Sequence, residues 1–286
     1  MDIPKNELGR KLLRSQAHVL NHEVRFVNSM TLKCAIQLGI PDIIHNHGRP
    51  MTLAELVTAL PINPSKAQAV LRLMRVLVHF NFFSKEKVKE NDEEDGYSLT
   101  PASRLLLKDE PLRIRPFFFP FLDQPMIAPW HHMSEWFQND DPTPFHTAYG
   151  RGLWEHATQE PRLSQLVNEA MASDSLLVME VLIKERKGVF EGLNLLVDVG
   201  GGTGALAMAM VDAFPNINIT VLDLPHVIAG LQGKENLSYV GGDMFKAIPS
   251  ADAVLLKVYF NFGTMDHSTV YDFSKELGTT LHLFLP

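Results

Sequence analysis

Residues 195–215 read LLVDVGGGTGALAMAMVDAFP. An apolar run of strand length (195–199) meets a glycine cluster, and an apolar-faced helical stretch follows. Asp198, Gly200, Gly202 and Gly204 form a D-x-G-x-G-x-G pattern at the strand-to-helix junction, with Gly201 filling the turn. Glycines permit positive φ and let a ligand approach the backbone closely, and the helix start offers free amide groups. A glycine turn alone also suits dinucleotides, so the neighbouring strands decide its meaning. Asp198 puts a carboxylate at the strand end, where it suits a cationic ligand better than a pyrophosphate. INITVLDLP (217–225) carries Asp223, placed to bind ribose hydroxyls. LSYVGGDMF (237–245) carries Asp243 and Met244, a carboxylate and a thioether for an adenine. ADAVLLK (251–257) ends in Lys257. Ligands of open α/β sheets bind at the carboxyl ends of the strands, where all these residues fall. A nucleoside bearing a sulfonium and an amino acid fits the set better than a nicotinamide dinucleotide does.

Upstream, residues 8–38 repeat apolar positions at helical spacing and predict one or two long helices, closed by Gly39. Such a helix could pack in the core or wrap a second subunit. Thr52 and Glu55 read as a capping box opening a helix to Leu60. Asn63 or Ser65 caps the next helix, which carries Val70, Leu73 and Leu77. NFFS (81–84), a charged turn (85–96), YSLT (97–100) and a helix over 101–107 complete the order of a winged helix. The acidic residues of that turn would repel phosphate, so a dimerisation module is the better reading and nucleic acid is not an expected partner. Residues 116–154 are rich in proline and aromatics, either a hydrophobic linker core or the wall of a pocket for a flat apolar ligand. The pair His131–His132 has no third ligand at diagnostic spacing, and no metal site is expected.

The 286 residues contain one cysteine, Cys34, and carry a net charge of −7. This excludes an internal disulfide framework and the basic excess of a general nucleic-acid binder. The sequence has no apolar run of membrane-span length and opens without a signal core, so a cytoplasmic protein is expected. Residues 188–286 hold 10 acidic residues against 4 basic ones. They are also fewer than the ~150 residues expected of a doubly wound domain.

The motifs LVDVGGGTG, VLDLPHV, YVGGDMF and AVLLK, in this order, resemble the S-adenosylmethionine-binding motifs of plant small-molecule O-methyltransferases. The likeness extends back through LTPASRLLL, WFQNDDPTPF and NEAMASDS, covers roughly residues 8–257, and comes nearest to the isoflavone and flavonoid enzymes of legumes. It implies an α/β chain in three parts: a winged-helix-like dimerisation domain (1–110), a helical linker and substrate-pocket region (111–187), and a Rossmann-like methyltransferase domain (188–286) that stops after its fourth strand. It also implies a homodimer, or a heterodimer with related enzymes. On this resemblance S-adenosylmethionine is the cofactor, held by Asp198, Gly200, Gly201, Gly202, Gly204, Asp223, Asp243, Met244 and Lys257. A phenol such as an isoflavone is the substrate, with Trp154, Asn168, Met171 and Ser175 in its pocket and Phe117–Phe121 in the aromatic wall. The family's catalytic histidine follows the fourth strand in a Leu-Lys-x-x-x-His-Asp-Trp run, and Asn261 stands at that position here. Residues 258–286 are read as unlike the family, so impaired turnover is expected, with a dead or regulatory partner of full-length enzymes as the alternative.

Overall fold

The computed structural model describes residues 5–89, 94–185, 187–257 and 281–285. The chain forms two compact units, Met1–Pro111 and Leu112–Pro286.

In the first unit the long N-terminal periodicity resolves into α1 (Lys5–Glu23) and α2 (Arg25–Gln37). The break at Val24 is slight, since Asn28 still donates its N–H to the Val24 carbonyl. Leu12, Leu13, Val19, Leu20, Phe26 and Val27 are all exposed, whereas Leu32, Ala35 and Ile36 at the far end of α2 are buried. Gly39 (φ 72°) ends that run and α3 follows (Ile40–His47). The Thr52 hydroxyl accepts from the Glu55 N–H, and the Glu55 carboxylate accepts from the Thr52 N–H, so the expected capping box opens α4 (Leu53–Ala59). The backbone amide of Thr52 and the Arg49 guanidinium together pull the Glu55 carboxyl down to about 2. Asn63 accepts from the Ser65 N–H, and α5 (Ala67–His79) then buries Val70, Met74 and Leu77. The antiparallel pair β1 (Phe83–Lys87) and β2 (Asp95–Leu99) completes the winged-helix order. The helix read over 101–107 is shorter, α6 (Pro101–Arg104), because Leu106 and Leu107 leave the helix to fill the core.

The second unit opens with short, proline-broken helices: α7 (Arg115–Phe121), α8 (Gln124–His131), α9 (Met133–Trp136), α10 (Pro144–Tyr149) and α11 (Leu153–Gln159). The long α12 (Pro161–Glu185) packs against α7 and α13 (Ala205–Ala213). A parallel sheet follows, with β3 (Leu195–Val199), β4 (Asn218–Asp223), β5 (Leu237–Gly241), β6 (Ala253–Lys257) and β7 (Leu281–Leu285) in the order β5-β4-β3-β6-β7. Its central strands bury both faces, as parallel strands do. Leu196, Val221, Ala253 and Leu255 join Met179 and Met210 on one side, while Val197, Val199, Val254 and Leu256 form the other. Each of the larger aliphatic side chains so buried contributes roughly 1.5–3 kcal/mol.

The sheet corrects the expectation that it would stop after the fourth strand. Leu281–Leu285 runs parallel to β6, pairing Leu281 with Ala253 and Leu285 with Lys257. No described helix is long and apolar enough to cross a membrane.

Candidate active site

The expected cofactor residues gather at the carboxyl ends of β3, β4, β5 and β6. Gly200, Gly202 and Gly204 all have positive φ, 68°, 59° and 80°. A side chain at Gly204 would also strike the Tyr239 hydroxyl, which lies 2.6 Å from where its Cβ would stand. The Tyr239 hydroxyl donates to the Thr203 carbonyl at 3.2 Å, so β5 supports the turn from beneath. A Cβ at Gly201 would sit 2.6 Å from the Asp198 carboxylate, so the turn lies directly on that side chain.

Asp198 is 2% exposed, and its Oδ2 is buried with no hydrogen-bond partner among the described residues. Burial pushes its carboxyl up to about 7, the nearby Asp223 charge adds to the rise, and Lys257 opposes it. A buried carboxylate with an unsatisfied oxygen is costly unless a cation comes to meet it. Asp223 is differently placed. Its Oδ2 accepts from the Gly202 N–H and its Oδ1 from the Leu224 N–H, both at 2.7 Å. It therefore ties the glycine turn to the end of β4, and a carboxylate with two donors keeps lone pairs for hydroxyl groups.

Asp243 follows β5 and accepts from the Phe245 N–H at 3.0 Å. Met244 packs against the buried cluster of Val197, Val199, Leu222, Val254 and Leu256. Lys257 points to α12: its Nζ lies 2.6 Å from Asp174 Oδ2 and donates to Ser175 Oγ at 2.9 Å. Together these residues present an open glycine backbone, an orphaned buried anion, a hydroxyl-binding carboxylate and a thioether. That donor set fits a cationic, ribose-bearing nucleoside such as S-adenosylmethionine.

A cleft of about 690 Å³ adjoins the turn, with Thr203 and His226 on one side and Ala157, Ser164, Asn168 and Glu169 on the other. Of the expected pocket residues, Asn168 lines this cleft. Met171 lies about one turn and Ser175 about two turns further along α12, both at the Lys257 ammonium. Trp154 is 51% exposed and does not line the cleft, because α11 turns Ala157 and Thr158 toward it instead. Phe117 and Phe121 stack with ring centroids 4.6 Å apart on α7, the helix that packs against α12. His132 pairs with Glu135 at 2.9 Å. Asn261 lies outside the described residues.

Sequence reading missed Asp174, Tyr239 and His226. Asp174 had a signal, since it stands beside Ser175 in NEAMASDS and Lys257 needs a counter-ion. The hydroxyl of Tyr239 had none, because only the tertiary fold brings it under Gly204.

An O-methyltransferase domain family matches residues 130–277, and an O-methyltransferase dimerisation domain family matches residues 20–109. The chain is 60% identical over 257 residues to a trans-resveratrol di-O-methyltransferase of Vitis vinifera, covering 90% of this chain and 72% of the relative. It is 49% identical over 272 residues to flavonoid 8-O-methyltransferase 1 of Ocimum basilicum, covering 95% of this chain and 76% of the relative. The solved methyltransferase CalO1 of calicheamicin biosynthesis, in its SAH-bound form, shares the fold with a TM-score of 0.67 at 22% identity, over 90% of this chain and 72% of that one. The family match to residue 277 and the 272-residue alignment correct the reading that likeness ends at Lys257.

Proposed function

Because the chain belongs to the plant phenolic branch of the S-adenosylmethionine-dependent O-methyltransferases, we propose that its β3–α13 turn holds that cofactor beside a cleft for a flat phenol. The observation that carries this reading is the Asp198 carboxylate, buried and unpartnered directly beneath an open glycine turn. Asp198 balances the cofactor's cationic end, Asp223 takes the ribose hydroxyls, and Met244 and Asp243 flank the adenine. Bound S-adenosylmethionine supplies a methyl group on a sulfonium. This chain's residues orient the phenol in the cleft, with Asn168 on its wall.

The proton is the difficulty. A phenol with a pKa of ~10 is about 4 kcal/mol from its anion at neutral pH, and a positioned base normally removes that cost. Asn261 occupies the position at which the resemblance places the base, and an amide takes no proton. We infer that the chain binds cofactor and phenol but turns over poorly. Its substrate class is a planar phenolic of stilbene, flavonoid or isoflavone type, met in the cytosol. The exposed apolar residues of α1 and α2 favour a second role beside the first, pairing with another copy or with a related O-methyltransferase.

Methyl transfer from labelled S-adenosylmethionine to resveratrol, a flavonol and an isoflavone tests the reading, with Asn261→His alongside. Activity that appears or rises at least tenfold in the histidine variant supports it. A wild-type chain with full turnover that the histidine does not improve removes the assignment of Asn261.

A further inference from the structure

Exposed ion pairs of this chain, such as Lys234–Asp212 with side chains 46% and 73% exposed, contribute little. Lys257–Asp174 differs, at 8% and 14% exposed. The Lys257 Nζ lies 2.6 Å from Asp174 Oδ2 and donates to Ser175 Oγ at 2.9 Å and to the Met171 carbonyl at 3.4 Å. The lysine is the last residue of β6, while Met171, Asp174 and Ser175 sit together on α12. Burial lowers the Lys257 ammonium's pKa, and the Asp174 carboxylate opposes that shift. Removing one member of a buried pair is strongly destabilising, because the other stays buried without the charge that faced it.

Asn168 lines the cleft from the same helix, further toward its N-terminus. Lys257 also feels the Asp198 charge beneath the glycine turn. The lysine thus stands between the cofactor turn and the helix that walls the cleft.

We propose that Asp174 is a positioning residue: by holding the Lys257 ammonium it locks α12 to the carboxyl end of β6 and sets the phenol wall relative to the cofactor turn. This rests on the reading of the turn and cleft given above. Of the contacts assigned to the cofactor, those from β3, the turn, β4 and β5 do not need the pair, and Lys257 alone is held by it. Those assigned to the phenol come from α12 and do need it. Loss of the pair therefore acts on the two ligands unequally.

The test compares the full chain with Asp174→Asn, Asp174→Glu and the double variant Asp174→Asn/Lys257→Met. Three quantities are read: amide exchange over residues 168–178, S-adenosylhomocysteine affinity by calorimetry, and resveratrol affinity in the presence of saturating S-adenosylhomocysteine. Asp174→Asn is expected to speed exchange and to weaken resveratrol about tenfold while S-adenosylhomocysteine changes less than about threefold. Asp174→Glu, which keeps the charge, should recover most of the resveratrol affinity. If Asp174→Asn does not fold, the double variant decides by amide exchange and resveratrol affinity alone, because Lys257 itself belongs to the assigned cofactor site. Resveratrol binding within twofold of wild type in either folded variant overturns the proposal. So does an equal loss for both ligands in Asp174→Asn, which marks a merely structural pair. If the wild-type chain binds S-adenosylhomocysteine but no phenol, the cleft assignment fails separately, and unchanged exchange in Asp174→Asn then overturns the lock.

Discussion

Asp198 and Asp223 are carboxylates at the ends of adjacent strands, yet the fold treats them oppositely. Two backbone amides satisfy Asp223, whereas Asp198 has a buried oxygen with none. With its carboxyl pushed up to about 7, Asp198 holds its proton more tightly in the native chain than in the unfolded one. Its contribution to stability is therefore full below the unfolded pKa of ~4 and is lost as pH rises toward 7, on the order of 4 kcal/mol in all. Denaturant titrations at pH 5 and pH 8 should show the wild-type chain losing more stability than Asp198→Asn, by roughly 3 kcal/mol. Equal losses would remove the burial argument. A cation at the turn favours the ionised carboxylate, so S-adenosylhomocysteine should bind the wild-type chain more tightly at pH 8 than at pH 6. Calorimetry at the two pH values should show no such gain for Asp198→Asn.

At the scale of elements, the β3–α13 turn is fixed by backbone conformation and by what lies beneath it. Gly204→Ala meets both constraints, a φ of 80° and the Tyr239 hydroxyl. It should cost at least ~1–2 kcal/mol of stability by denaturation and weaken S-adenosylhomocysteine as the turn shifts. Tyr239→Phe removes one hydrogen bond and keeps the ring, so the expected loss is smaller, about 1 kcal/mol. Thr52→Ala should cost about 1 kcal/mol through the lost cap of α4, with no change in ligand binding. These elements were legible because their signals are local: the capping box at Thr52 and Glu55, the stop at Gly39, and the glycine turn between an apolar strand and a helix. Four strands could be read because each is a short apolar run ending in a functional polar residue. The fifth, Leu281–Leu285, could not, because it takes its place only by pairing with β6 across a long connection. Trp154 lies off this cleft for a related reason. Aromatic composition marks a region rich in apolar surface, and only helix rotation decides which side chain faces the cleft.

At the scale of the molecule, the order of motifs identified the family, while the pairing of α12 with Lys257 emerged only in three dimensions. The exposed apolar residues on α1 and α2 predict association. Sedimentation equilibrium of the full chain should show a dimer, and Leu20→Glu with Phe26→Glu should shift it to monomer without loss of the folded spectrum. A monomeric wild-type chain would leave those side chains unexplained. The central claim, though, concerns the glycine turn and the two carboxylates that frame it. Titration calorimetry of the full chain with S-adenosylhomocysteine tests it most directly, with Asp223→Ala as the partner measurement. The account predicts saturable binding at one site per chain, weakened at least tenfold in Asp223→Ala; no binding by the wild-type chain, or equal binding by both, would contradict it.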